Sequence, residues 1–103
     1  MIVERRTFLA KQWQEHKLAD LLKETMERFM EQRPSRGSYR VYTFYVAPIN
    51  TVVLEIEAES LQEWEEGWEY ALSDPDILEY LKQTAELTEP GGTSELWHLH
   101  TPD

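Results

Sequence analysis

The stretch Thr51-Val52-Val53-Leu54-Glu55-Ile56-Glu57-Ala58-Glu59-Ser60-Leu61-Gln62-Glu63-Trp64 changes its hydrophobic period at Ser60. Up to Ala58 it alternates, with Val52, Leu54, Ile56 and Ala58 on one side and Thr51, Val53, Glu55 and Glu57 on the other. That is the pattern of a strand with one face on a core. From Ser60 the apolar residues recur at helical spacing, as Leu61, Trp64, Trp68, Ala71 and Leu72. Ser60 followed three residues later by Glu63 is a capping box, with the hydroxyl accepting from the N3 amide and the glutamate reaching back. A strand therefore feeds directly into a helix.

The same two periods extend outward. Alternating runs occupy Ile2 to Ala10, Tyr39 to Ala47 and Glu95 to His100, and a helical stripe of Leu18, Leu21, Leu22, Thr25, Met26 and Phe29 lies within Trp13 to Gln32. The loop Arg33-Pro34-Ser35-Arg36-Gly37-Ser38 separates that helix from the second strand. Pro75 suits a first helical turn with Asp74 as its cap. The second helical region therefore reads as two pieces, Ser60 to Leu72 and Pro75 to Leu87, ended by Glu89-Pro90-Gly91-Gly92. The order is βαββαβ, an α+β ferredoxin-like arrangement filling residues 1–103 as a single domain. Right-handed crossovers then give a four-stranded antiparallel sheet of order 4-1-3-2 with its helices on one face.

A hairpin turning at Pro48-Ile49, with Ala47 facing Asn50, sets Tyr45 opposite Val52, Tyr42 opposite Glu55 and Arg40 opposite Glu57. On the first strand Ile2, Glu4, Arg6 and Phe8 are expected on the helix-free face beside Glu55, which leaves Arg5 awkwardly toward the helices. The helix-free face then mixes Ile2, Phe8, Phe44, Val53 and Tyr42 with Glu4, Arg6, Arg40, Glu55 and Glu57. Such an apolar, charge-paired patch is expected to be covered by a second copy in a homodimer.

Composition removes several classes of function. Twenty acidic residues against ten basic give a net charge of −10, a field that repels nucleic acid and anionic lipid. No stretch approaches the ~20 apolar residues of a membrane span, and no secretion signal opens the chain. There is no cysteine, which excludes disulfides and thiolate chemistry and fits a cytoplasmic location. No phosphate-binding loop, dinucleotide turn, nucleophile elbow or zinc motif occurs.

Glu4-Arg5-Arg6-Thr7-Phe8 resembles the Glu-x-Arg-Thr-Tyr first strand of the NIPSNAP-like proteins, members of the dimeric α/β-barrel (ferredoxin-like) superfamily. Ser60-Leu61-Gln62-Glu63-Trp64 with Trp68, Ser73-Asp74-Pro75, and Gly91-Gly92-Thr93-Ser94-Glu95-Leu96-Trp97 are similar to the second half of that family. Phe8 stands where the family has tyrosine. The resemblance implies two sheets packed face to face around a small barrel. Relatives in the superfamily include monooxygenases, isomerases and haem enzymes, whereas NIPSNAP-like members have no well-defined reaction.

Glu4, Arg6, Tyr42 and Glu55 are the candidates for a polar pocket in or at the mouth of that barrel, where Arg6 binds a carboxylate or enolate and a glutamate takes a proton. The same residues also suit a structural ion pair beneath an interface. His98 and His100 share a strand face and could move protons or bind a metal, yet no third ligand accompanies them. They, and His16 on the first helix, equally suit solvated surface positions. Two functions follow: a small-molecule-binding dimer without turnover, or a cofactor-independent monooxygenase or isomerase acting on a small, partly aromatic substrate. In the second, Arg6 holds an oxyanion and Tyr42, Glu55 or His98 moves protons. A haem enzyme using a histidine ligand is a third option; no cofactor and no metal are expected.

Overall fold

The computed structural model describes residues 1–33 and 38–100. Its elements are β1 (Ile2–Ala10), α1 (Glu15–Gln32), β2 (Tyr39–Thr43), β3 (Thr51–Ala58), α2 (Leu61–Ser73), α3 (Pro75–Glu86) and β4 (Thr88–His98). The sheet is antiparallel with order β2-β3-β1-β4, which is the expected 4-1-3-2 read from its other edge. The loop expected from Pro34 to Gly37 lies outside the described residues.

The α1 stripe decides where the core sits. Leu18, Ala19, Leu22 and Met26 pack on Val52 and Leu54 of β3 and Ala10 of β1, with Phe8, Phe29, Tyr39, Val41 and Ile56 around them. Ser60 caps α2 by accepting from the Glu63 amide at 3.1 Å, and the Glu63 carboxylate accepts from the Glu59 amide at 2.9 Å, one residue earlier than expected. Leu61 and Leu72 of the expected stripe are exposed; Gly67 and Ala71 are buried, and Trp64 and Trp68 are half-buried.

Asp74 separates α2 from α3. Its carboxylate accepts from the amides of Asp76 at 2.8 Å and Ile77 at 3.3 Å, and the Arg28 guanidinium of α1 lies 3.3 Å from both Asp74 and Asp76. Burial opposes charge on Asp74, but the two amides, Arg28 and the Tyr70 hydroxyl outweigh it and hold its pKa below the ordinary value. One side chain thus caps α3 and ties the helix joint to α1.

Three expectations about the sheet need correction. Tyr42 faces Val53 and Arg40 faces Glu55, two residues from the expected hairpin register. Strand pairing stops at Thr43↔Val52 because Asn50 takes a left-handed conformation (φ 65°) and Thr51 donates back to the Pro48 carbonyl through its amide and its hydroxyl. A two-residue shift preserves the faces. β4 begins at Thr88, so Pro90, Gly91 and Gly92 belong to the strand, where an edge position tolerates proline.

The third correction concerns β1. Arg5 pairs with Glu55, and Arg6 with Leu54, Glu4 with Ile56 and Ile2 with Ala58. Glu4 and Arg6 therefore face the helices, and Arg5 occupies the helix-free face. Each face of β1 carries apolar residues and charge, so alternation alone is ambiguous there.

The β1–β4 register shifts between Thr7 and Leu9. A Cβ added at Gly92 would stand 2.6 Å from the Thr7 carbonyl oxygen, a backbone atom with no freedom to withdraw. Gly92→Ala should therefore loosen β4 and lower stability by about 1–3 kcal/mol, read by urea unfolding; an unchanged midpoint would show that the edge strand yields without cost.

Candidate functional site

The β1 register divides the charged candidates between the two faces of the sheet. On the helix-free face Glu55 is the centre, buried to 7% exposure. Arg5 reaches its Oε2 through Nε at 2.8 Å and Nη2 at 2.7 Å, while Tyr42 donates to Oε1 at 3.0 Å and Arg40 Nε at 3.3 Å. Arg40 Nη1 also donates to Glu57 at 2.7 Å, and the Arg5 guanidinium lies 6.0 Å from the Trp97 ring. Burial alone would push the Glu55 carboxyl up, but the bonds from Arg5, Tyr42 and Arg40 overcome it and lower its pKa. The Glu57 hydrogen bond, ahead of the others, holds Arg40 above its ordinary range. A carboxylate so committed is a weak proton acceptor, and this cluster has the character of a structural network.

On the other face a cavity of about 100 Å³ lies between the sheet and the three helices. Glu4, Arg6 and Phe8 of β1 form its floor, and Phe29, Trp64 and Trp68 are among its helical walls. Glu4 is 2% exposed, and the Ser94 hydroxyl is its one hydrogen-bond partner among the described residues, at 3.5 Å. The Arg6 guanidinium sits 5.3 Å from the Phe8 ring and 5.2 Å from the Trp68 ring, at cation–π distance. Among the described residues Arg6 makes no ion pair. Trp64 Nε1 is buried without an acceptor among the described residues. Gly67 lets α2 approach α1 here, since a Cβ would stand 3.2 Å from Phe29 Cζ.

A second, wider hollow of about 310 Å³ follows the β1–β4 irregularity and is lined mainly by threonine, glycine and backbone positions. It shares Arg6 and Phe8 with the first but lacks Phe29, Trp64 and Trp68.

The structure thus brings Tyr42 and Glu55 together, and Glu4 and Arg6 together, but sets the two pairs on opposite sides of the sheet. His98 pairs across from Ile2 on the exposed edge strand, with its ring 6.2 Å from that of His100, and borders neither cavity. His16 is exposed on α1. Among the described residues no group of three or more histidine, aspartate or glutamate side chains is placed to hold a metal ion. Arg5 as a partner of Glu55, and Phe29, Trp64 and Trp68 as cavity walls, were not among the sequence candidates. The i, i+4 spacing of Trp64 and Trp68 was their signal, read there as core.

No protein-family model matches the chain, and no curated protein matches it. Solved structures do. An uncharacterized NIPSNAP domain protein from Burkholderia xenovorans superposes over 100% of both chains with a TM-score of 0.79 at 16% identity. A NIPSNAP family protein of unknown function from Agrobacterium tumefaciens gives a TM-score of 0.77 at 18% identity, covering 94% of this chain and 86% of its own. The chain has the NIPSNAP-like, ferredoxin-like fold. SnoaB, a cofactor-independent oxygenase from Streptomyces nogalater, shares it with a TM-score of 0.73 at 11% identity, over 98% of this chain and 94% of its own. No described helix of this NIPSNAP-like fold is long and apolar enough to cross a membrane.

Glu55, with its folded pKa lowered, contributes stability at pH above the unfolded carboxylate value of about 4.3 and loses it as pH falls through the folded value. Acid unfolding should therefore steepen below pH ~4.3, and Glu55→Gln should flatten that dependence while lowering stability at neutral pH. Parallel acid-unfolding curves for variant and wild type would remove Glu55 from the acid response.

Proposed function

We propose that the chain is a single-domain subunit of a homodimer that binds a small, mainly apolar molecule in the cavity between sheet and helices. The observation that carries the binding reading is the cavity itself, with aromatic walls and a floor of two charged residues that the chain leaves incompletely satisfied. Ligand sites combine an apolar enclosure with a few convergent polar groups in this way. The site moves from the expected barrel mouth to the helix side because Glu4 and Arg6 face the helices.

The dimer reading rests on the opposite face. No described helix covers it, Val53 and Thr7 lie side by side at its centre, and Arg5, Arg40, Glu55 and Glu57 are paired with one another within one chain, with Glu95 left at its edge beside Arg5. Paired charges enter an interface at less desolvation cost than free ones. The absence of cysteine supports a cytoplasmic setting.

A second reading, a cofactor-independent monooxygenase or isomerase acting on a small, partly aromatic substrate, is favoured by the buried Glu4 carboxyl on the cavity floor and by the fold shared with SnoaB. Under it Glu4, rather than Tyr42, Glu55 or His98, takes the proton. Turnover lost in Glu4→Gln but retained in Glu55→Gln is its signature.

Two measurements test the main reading. Sedimentation equilibrium should find a dimer, with Val53→Glu and Thr7→Glu shifting it toward monomer; a wild-type monomer at working concentration would refute the assembly. Toluene should bind saturably and change the tryptophan fluorescence from Trp64 and Trp68; failure of toluene and of polar single-ring compounds alike to bind saturably would refute the cavity as a ligand site.

A further inference from the structure

We infer that the molecule held in the sheet–helix cavity presents an oxyanion to Arg6 and Trp64 and a hydroxyl to Glu4, so that a small hydroxylated planar acid, or an enol of that size, is the class of ligand. The inference rests on that cavity being the binding site. Five charged residues border it: Glu4, Arg6, Arg33, Glu57 and Glu63. Three are committed elsewhere. Arg33 pairs with Glu66 at 3.1 Å, Glu57 with Arg40 at 2.7 Å, and Glu63 accepts from the Glu59 amide at 2.9 Å.

Arg6 and Glu4 remain. Arg6 is a permanent cation with five N–H donors, yet in a chain of net charge −10 it meets aromatic faces rather than a carboxylate. Trp64 lines the same cavity, and its buried N–H is a second donor without an acceptor among the described residues. An N–H can only donate, so both groups ask the occupant for an electron-rich oxygen, and the guanidinium asks that it be negative. Glu4 asks for the reverse: its oxygens accept, and the long contact to Ser94 leaves most of that capacity unused. Its negative end also disfavours an anion that offers it no donor, which selects hydroxylated acids over simple ones.

The walls fix the shape. A planar body fits beside the Phe8 and Trp68 rings, whose faces already hold the guanidinium. The void is about 100 Å³ and opens to solvent, smaller than the ~150 Å³ engineered cavity that admits benzene. It therefore receives one ring with a small movement of Trp68, or the head of a longer molecule whose remainder lies at the mouth.

The test compares 3-hydroxybenzoate, toluene and benzylamine by calorimetry on the intact protein. 3-Hydroxybenzoate should bind at least roughly tenfold more tightly than toluene or benzylamine, as a charged hydrogen bond warrants. Arg6→Gln should weaken 3-hydroxybenzoate by roughly 10- to 100-fold and leave toluene unchanged. Trp64→Phe keeps an aromatic wall and removes the N–H; it should weaken 3-hydroxybenzoate several-fold more than it weakens toluene, and it carries the test if circular dichroism shows Arg6→Gln unfolded. Toluene equalling 3-hydroxybenzoate, benzylamine exceeding it, or both variants leaving its affinity unchanged overturns the inference while the cavity stands. Failure of all three probes removes the cavity reading and the inference with it.

Discussion

The pairing of Arg5 with Glu55 across β1 and β3 is the constraint on which the arrangement of this molecule depends. A strand has only two faces, and a slip of one residue exchanges them completely. With Arg5 opposite Glu55, the face away from the helices receives an arginine for a carboxylate that burial would otherwise penalise. The same register puts Glu4, Arg6 and Phe8 under the helices. Slipping by one would align Arg5 with a core residue of β3 and leave Glu55 Oε2 without the two N–H donors of Arg5. Losing a partner to a buried charge costs more than the pair itself contributes.

From that register come two populations of charge with different physical status. On the helix-free face every acid of the network has an arginine, and Glu55 receives three donors in a place where it could otherwise have kept only one or two. On the helix face the aromatic rings of Phe8 and Trp68 take the position that a carboxylate would occupy against Arg6. Cation–π contact recovers part of the lost hydration but offers no acceptor for the N–H groups. One set of charges is complete within a single chain, and the other keeps unused hydrogen-bonding capacity.

Much of this was legible in the residues. The strands and helices, their order, the strand order of the sheet, the Ser60 cap and the break at Asp74-Pro75 follow from period and capping chemistry, which are local. The face of β1 was not legible, because Ile2 to Ala10 carries apolar residues on both sides and one or more charges on each; only the partner strand chooses between them. The discomfort of placing Arg5 toward the helices was the trace of that choice. The hairpin register missed by two residues because the left-handed Asn50 and the Thr51–Pro48 contacts consume residues that alternation assigns to a strand. Pro90-Gly91-Gly92 reads locally as a terminator, but at a sheet edge its missing donor and missing side chains are tolerated. The cavity walls were misassigned for a different reason: Trp64 and Trp68 have the spacing of core residues whether or not the space beneath them is filled.

Why that space is unfilled returns to β1. Beneath α1 the sheet offers Val52 and Leu54, which pack with Leu18, Leu22 and Met26 as the core, and the void begins at the edge of that cluster, along Leu22, Met26 and Leu54. Beneath α2 it offers Glu4 and Arg6, whose polar ends cannot pack against indole rings at the density of aliphatic groups without losing their remaining hydration. Two aliphatic residues at those positions would let α2 settle onto the sheet and close the gap, and by the ordinary rules of core packing they would stabilise the subunit. A buried carboxyl with a single 3.5 Å contact and a buried N–H with none are each a cost of about 1–3 kcal/mol. Glu15 Oε2 and Arg28 Nε are also buried without partners among the described residues, so unsatisfied groups are not confined to the cavity; what sets the cavity apart is that a carboxyl, a cation and an indole N–H border one void, which an occupant of the proposed kind would account for together.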